Sequence, residues 1–145
     1  MAGPLREWNI NECAISFAGV MFPGGGADGE VLTIEMEGDD YGDVVGSDGE
    51  VARFRTNDRR ATATLKLMQT SQMVPQLMAV SNADLAALNG AGVGAFQVAN
   101  LTTGERFEAP EAWIKKQPGL SYGREVGTRE FVIRCAMGVF TPGTP

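Results

Sequence analysis

Apolar residues occupy every second position in two segments, residues 31–36 and residues 60–70. Successive side chains of a β-strand point to opposite faces of a sheet, so this spacing predicts two strands that each bury one face. Phe131, Ile133 and Cys135 show the same spacing, which predicts a last strand at residues 128–139. Further strands are predicted at residues 12–22, with a turn at Gly19, and at residues 51–55, 95–101 and 105–116, which gives six or seven strands in all.

The middle of the chain has a different pattern. Val74, Leu77 and Leu85 recur at about helical spacing, which predicts one helix over residues 73–88 that could break near Ser81. Strands on both sides of a single helix cannot form repeated βαβ units. The sequence therefore predicts a mainly β protein, an antiparallel β-sandwich or barrel with a flanking α-helix.

Length and composition indicate a single folded domain over residues 1–145, because 43% hydrophobic and 21% charged residues are ordinary globular values. The glycines of residues 23–29 predict a flexible turn, and residues 140–145 predict a flexible C-terminal tail. Pro110 predicts a bulge or an edge position within its strand. No segment approaches the roughly 20 apolar residues of a membrane span. The protein is therefore expected to be made in the cytosol and to bind no membrane.

Charge and cysteine content narrow the class of protein further. Cys13 and Cys135 stand in two separate apolar segments, which favours small buried side chains over a disulfide. The net charge is −6, whereas phosphate binding needs clustered Lys and Arg. Specific nucleic-acid binding is therefore not expected.

The residue arrangements that most enzymes and metal sites use are missing. The chain contains no histidine, which removes the commonest general base and the commonest zinc ligand. The glycine-rich residues 23–30 lack a Lys-Ser/Thr pair and precede a strand, whereas a phosphate-binding loop precedes a helix. In the acidic segment, Val44 stands where an EF-hand loop places its first oxygen ligand. The sequence predicts no catalytic residue, no cofactor, no metal site and no enzyme activity.

Residues 37–50 combine six carboxylates with four glycines. With only Tyr41, Val44 and Val45 as apolar residues, this segment is predicted to be an exposed, extended loop.

The order of these segments resembles that of bacteriophage tail tube proteins of the myovirus type. The most specific stretches are VVGSDGEVARFRTN at residues 44–57, EAWI at residues 111–114 and GTREFVIRC at residues 127–135, and the resemblance extends over residues 11–139. It implies a β-sandwich with a flanking helix that forms hexameric rings. It also implies that these rings stack into a hollow tube, through which DNA and a tape-measure protein pass.

The resemblance also implies a location and a set of partners. The subunit would be part of the virion, assembled in the host cytoplasm, and its main partner would be further copies of itself. A sheath protein, a baseplate or initiator complex and a tail terminator would be the other partners. DNA would pass through the lumen without specific binding.

In this interpretation residues 37–58 form an arm that reaches an adjacent ring or subunit, through apolar anchors and complementary charges. The candidate assembly residues are Asp39, Asp40, Tyr41, Asp43, Val44, Val45, Asp48, Arg53, Phe54, Arg55, Arg59 and Arg60. Two alternatives remain open at this point. One is another tail component, such as a terminator or a decoration protein, and the other is a monomeric ligand-binding β-barrel.

Overall fold

A computed structural model describes residues 8–23 and 29–143. In these residues, a short 3-10 turn (Ile10–Glu12) precedes ten strands, and one α-helix, α1 (Met73–Ala86), follows the sixth strand. The strands are β1 (Cys13–Phe17), β2 (Val20–Met21), β3 (Leu32–Met36), β4 (Tyr41–Val45), β5 (Val51–Arg55), β6 (Ala61–Met68), β7 (Gly94–Asn100), β8 (Arg106–Lys116), β9 (Thr128–Cys135) and β10 (Val139–Thr141).

Eight of the strands form one antiparallel sheet in the order β2-β1-β7-β8-β9-β6-β3, with β10 paired to the first part of β8. Strands β4 and β5 pair only with each other and form a separate hairpin. The mainly β, antiparallel fold with one helix is as predicted from the sequence.

One face of the large sheet carries the core. Residues of β6 alternate between buried and half-buried, as the period-two pattern predicts. Leu65 lies between Leu32 of β3 and Phe131 of β9. Neighbouring strands therefore place their apolar residues on the same face. Complete burial of a side chain such as Phe131 contributes about 1.5–3 kcal/mol.

The large sheet curls, so that strands far apart in the sheet order approach each other. Ile15 of β1, Ile34 of β3 and Phe107 of β8 line one groove, although four strands separate β1 from β3 in the sheet order. The architecture is that of a half-closed barrel.

Helix α1 packs on the core through Met73, Leu77 and Ser81, which are spaced four residues apart and are buried. The predicted break near Ser81 is wrong, because the helix runs through this residue. The Gln117 side chain donates to the Ser81 hydroxyl oxygen at 2.9 Å, so this buried hydroxyl group has a hydrogen-bond partner.

Turns and strand ends confirm some predictions and correct others. Ala18 and Gly19 both have positive φ, 49° and 86°, which suits a tight two-residue hairpin turn at the predicted place. The register of β7 on β8 shifts opposite Pro110, which confirms the predicted bulge. The predicted turn at residues 23–29 falls largely outside the described residues.

Strand structure extends into the predicted acidic loop and into the predicted C-terminal tail. Residues 41–45 of the predicted acidic loop form β4, because they pair with β5 even though both strands are exposed. The predicted strand at residues 128–139 ends at Cys135. Residues 139–141 return to pair with β8 as β10, so the predicted flexible tail is a strand at its start.

In the described part of the chain, no helix combines the length and the apolar composition needed to cross a bilayer.

Candidate assembly site: the projecting hairpin

The β4–β5 hairpin extends beyond the end of the β3–β6 pair. Each of its strands has five residues, so the hairpin is about 17 Å long at the usual rise per residue. A hydrogen bond from the Gly46 amide to the Glu50 carbonyl, at 2.7 Å, closes the tip. Gly49 in the tip turn has φ of 90°, a conformation that glycine adopts without strain.

The root of the hairpin is firmly attached to the large sheet. The Glu37 amide donates to the Arg60 carbonyl at 3.0 Å, which continues the β3–β6 ladder. The Arg59 guanidinium forms an ion pair with Asp40 at 2.9 Å and donates to the Gly138 carbonyl at 3.0 Å. These bonds fix the direction in which the hairpin projects.

Further charged groups at the root compensate one another. Arg60 forms an ion pair with Asp58 at 2.9 Å, and its hydrogen bonds lower the pKa of the Asp58 carboxyl. The pKa of Glu37 is lowered chiefly by a hydrogen bond from the Thr62 hydroxyl, with a smaller contribution from the nearby Arg134 charge. The root is therefore a paired electrostatic network within one subunit.

The projecting part of the hairpin exposes apolar side chains. Val44, Val45, Val51 and Phe54 are 59%, 65%, 61% and 50% exposed. Isolated exposed apolar residues are common on any protein, but a contiguous apolar patch marks an interaction site. The hairpin exposes neighbouring apolar side chains on each of its faces.

The strand register divides these side chains between two faces. Phe54 lies directly opposite Gly42, and Val44 lies opposite Ala52, so one face is entirely apolar. A Cβ atom on Gly42 would lie 2.3 Å from Cζ of Phe54. The glycine therefore makes room for the aromatic ring to lie across the hairpin.

The other face combines charge with the valines of the tip. Val45 and Val51 lie opposite each other next to the tip. Towards the root, the next pairs on this face are Asp43 with Arg53 and Tyr41 with Arg55. The guanidinium carbons of Arg53 and Arg55 lie 4.3 Å and 5.5 Å from the centre of the Tyr41 ring. Neither arginine forms an ion pair with a carboxylate in residues 8–23 and 29–143.

The structure thus separates the sequence-predicted residues into two groups. Asp39, Asp40, Arg59 and Arg60 lie at the root, where three of them form side-chain ion pairs inside the subunit. Tyr41, Asp43, Val44, Val45, Arg53, Phe54 and Arg55 lie on the projecting strands, and Asp48 lies in the tip turn.

An apolar groove of about 330 Å³ was not predicted from the sequence. It opens where the sheet curls, and its lining includes Ile10, Ile15, Leu32, Ile34, Phe107 and Phe140. Sequence periodicity marked several of these residues as apolar strand positions. It could not show that β1 and β3 approach each other, because that depends on the curvature of the whole sheet.

Cys13 and Cys135 are both free thiols. Cys13 lines the groove and is partly exposed. Burial raises the pKa of the Cys135 thiol to about 11. No group of three or more Cys, Asp or Glu side chains in the described residues could hold a metal ion.

The sequence profile of the bacteriophage PhiTE tail tube protein family matches residues 9–138. The chain belongs to this family. No curated protein sequence gives a match. Membership in a phage tail tube family makes the chain a structural component of a phage tail and not an enzyme.

Solved structures support the same fold for this tail tube family protein. The tube-terminating cap of the anti-feeding prophage superimposes with a TM-score of 0.63 at 10% identity, covering 99% of this chain and 96% of the cap chain. A chain of the sheath–tube complex of the extracellular contractile injection system PVC, in its extended state, gives 0.62 at 10% identity, covering 90% and 88%. A chain of the PVC sheath/tube terminator gives 0.61 at 9% identity, covering 96% and 99%.

Proposed function

We propose that the protein is the tube subunit of a phage tail, and that hexameric rings of it stack into a hollow conduit. The observation that carries this proposal is the projecting hairpin. It presents exposed apolar side chains on both of its faces, while its root is bonded to the large sheet. Such a surface suits contact with another copy, in an adjacent ring or subunit.

The large sheet supplies a means of closing the ring. Strand β3 lies at one end of the sheet and β2 at the other, so each presents an edge without a strand partner in the described residues. Edge-to-edge pairing between neighbours satisfies these backbone groups and removes the exposed edges. Such a head-to-tail interface forms a closed ring when the rotation per subunit closes.

The net charge of −6 suits a conduit for DNA. Carboxylates on a lumen repel phosphate, so the nucleic acid passes without adhering to the wall. In this proposal the tape-measure protein occupies the lumen before the DNA does. The outer surface of the tube meets a sheath, since a similar fold occurs in a sheath–tube complex, and the tube begins on an initiator at the baseplate.

Val45→Asp tests this role of the hairpin. Val45 is 65% exposed, so the change leaves the core intact but places a charge on the tip of the assembly surface. The expected result is a folded subunit, by circular dichroism, that forms no tubes in electron micrographs. Leu88→Asp is the matched control, because Leu88 is fully exposed and lies beyond the end of the helix, away from the hairpin. Full-length tubes from the Val45→Asp variant would remove the hairpin from the assembly.

A tail terminator is the second candidate, because two of the similar folds are a tube-terminating cap and a sheath/tube terminator. A tube subunit forms open-ended tubes when overproduced, whereas a terminator stops at single rings. Electron microscopy of the purified protein distinguishes the two functions.

A further inference from the structure

We infer that the start of β9 holds a binding site for an acidic peptide segment of a partner protein, formed by Arg129, Gln69 and Gly127. The site lies at the opposite end of β6 from the hairpin. Arg129 pairs with Leu67, next to the last residue of β6, whereas the hairpin root adjoins the first residues of that strand. The inference therefore goes beyond the proposed function and does not depend on the hairpin.

The Arg129 guanidinium is a buried charge without a counter-charge. Arg129 is 5% exposed, because it lies on the same face of β9 as Phe131 and Ile133. In residues 8–23 and 29–143 it forms no ion pair with a carboxylate, and its one hydrogen bond runs from Nη1 to the adjacent Thr128 carbonyl at 3.2 Å. A buried charge is strongly unfavourable unless an opposite charge and further hydrogen bonds compensate it. An anionic group from another molecule supplies both.

An unsatisfied hydrogen-bond acceptor lies beside this charge. Oε1 of Gln69 is buried and has no hydrogen-bond partner in the described residues. A Cβ atom on Gly127 would lie 3.5 Å from this oxygen and 4.0 Å from Nη1 of Arg129. The missing side chain of Gly127 therefore leaves room beside both polar groups.

The two groups require two kinds of atom from one ligand. The guanidinium binds a carboxylate through charge-assisted hydrogen bonds, whereas the Gln69 oxygen needs an N–H or O–H donor. An acidic residue within a peptide has both, because its side chain is a carboxylate and its backbone carries N–H groups. Acetate has only acceptors and satisfies the arginine alone.

The surroundings of Arg129 also favour a peptide over a small ion. The Tyr122 ring lies over the guanidinium, with its centre 5.5 Å from Cζ. Tyr122 is 79% exposed, so it can move aside without disturbing the core. The same β8–β9 loop exposes Leu120 and Val126 at 64% and 54%. Exposed apolar side chains around a buried arginine are typical of a contact with another protein.

Acidic residues close to Arg129 in the sequence do not neutralise it. Glu130 points to the opposite face of β9, where it lies across from Lys66. Glu125, in the β8–β9 loop, is exposed and forms no ion pair in the part of the chain that the structure describes. The counter-charge therefore has to come from another molecule.

The test uses the full chain below the concentration at which tubes form, with the urea midpoint from circular dichroism as the readout. The probe is the capped tripeptide acetyl-Leu-Glu-Val-amide, and its Gln analogue is the matched control without the charge. A ligand of the folded state, at ten times its dissociation constant, raises the folded-to-unfolded ratio about 11-fold. The Glu peptide should therefore raise the midpoint, while the Gln peptide and acetate at equal ionic strength should not.

Arg129→Met distinguishes a binding site from an arginine that stabilises the subunit. Because the guanidinium lacks a counter-charge, an apolar side chain of similar length should not lower the midpoint without peptide, and it should abolish the response to the Glu peptide. Arg124→Met, which removes an exposed charge from the same loop, should keep the response. Gly127→Ala is a second variant, because its methyl group occupies the room beside both polar groups and should also abolish the response.

Several results would overturn the inference. One is a large fall in the midpoint of Arg129→Met without peptide, because the arginine would then be satisfied inside the subunit. Another is a wild-type chain that does not respond to the Glu peptide, or that responds equally to the Gln peptide or to acetate. A response that persists in Gly127→Ala and in Arg129→Met would place the peptide elsewhere. None of these results bears on tube formation, which the Val45→Asp variant tests separately.

Discussion

Phe54 is the side chain for which fold and assembly can be separated most clearly. Its ring lies over Gly42 on the hairpin and makes no part of the buried core. Replacement of Phe54 by Ala leaves the core intact but removes the half of the ring that is covered on the hairpin, so it should cost the subunit about 2 kcal/mol or less by area, and the subunit should stay folded. Its effect on tube formation comes in addition to this cost and is measured separately.

The expected loss of interface free energy follows from the area of Phe54 that is exposed in the subunit. A buried aromatic side chain covers roughly 200 Å², and Phe54 is 50% exposed in the subunit, so about 100 Å² of it remains available to an interface. Allowing for the area that alanine retains, the loss of apolar burial is about 2 kcal/mol for each contact. That free energy corresponds to roughly a 30-fold higher subunit concentration at which tubes begin to form.

Sedimentation measures this threshold directly. Tubes are pelleted from a series of total concentrations, and the subunit that stays in solution gives the critical concentration for wild type and for Phe54→Ala. Leu88→Ala is the control, since it removes a fully exposed apolar side chain outside the hairpin. A critical concentration for Phe54→Ala equal to that of wild type, or an equal rise for Leu88→Ala, would refute the argument.

Three further predictions concern the subunit itself. Phe131→Ala removes a fully buried ring and should cost about 3–5 kcal/mol, which lowers the melting temperature by about 10 °C in thermal denaturation. The pKa of Glu37 is held below its ordinary value of 4.5, so its contribution to stability is present above that pH and is lost as the pH falls through the lowered pKa. Glu37→Gln should therefore lower the urea midpoint at neutral pH but not in strong acid. Maleimide should label Cys13 but not Cys135 in the folded subunit, and both in urea, since Cys135 is buried.

The sequence was sufficient for those parts of the fold that depend on local periodicity. Strand β6 alternates with a period of two and is buried on one face, as predicted. Strand β4 was missed because its period-two signal is weak. Gly42 and Asp43 are typical of loops, and only the cross-strand pairing with β5 makes this segment a strand. The predicted break in the helix failed for a similar reason, because Ser81 is buried on the same helix face as Met73 and Leu77, and this packing is not visible in the local sequence.

The candidate site was predictable only in part. Residues 37–58 could be recognised as exposed from their charge and glycine content, and the structure places them on a hairpin and its root. The separation of Arg59 and Arg60 from Arg53 and Arg55 could not be predicted, because all four arginines are close in sequence. Only the structure shows that Asp40 and Asp58 pair with the first two, while Tyr41 contacts the others.

The attachment of the hairpin at its root alone bears on how assembly can be controlled. A hairpin attached only at its root is marginally stable in water by itself, and each side chain immobilised on docking costs about 0.5–1.5 kcal/mol. One hairpin contact is therefore weak once these costs are subtracted from the burial of Phe54 and the valines. In the proposed assembly a complete ring offers six such contacts at once, and linked contacts bind far more tightly than single ones. Single subunits should then dissociate readily while closed rings remain attached, so growth depends on a surface that already presents a ring. The paired root supports this behaviour, because it keeps every hairpin pointing in one direction before any partner arrives.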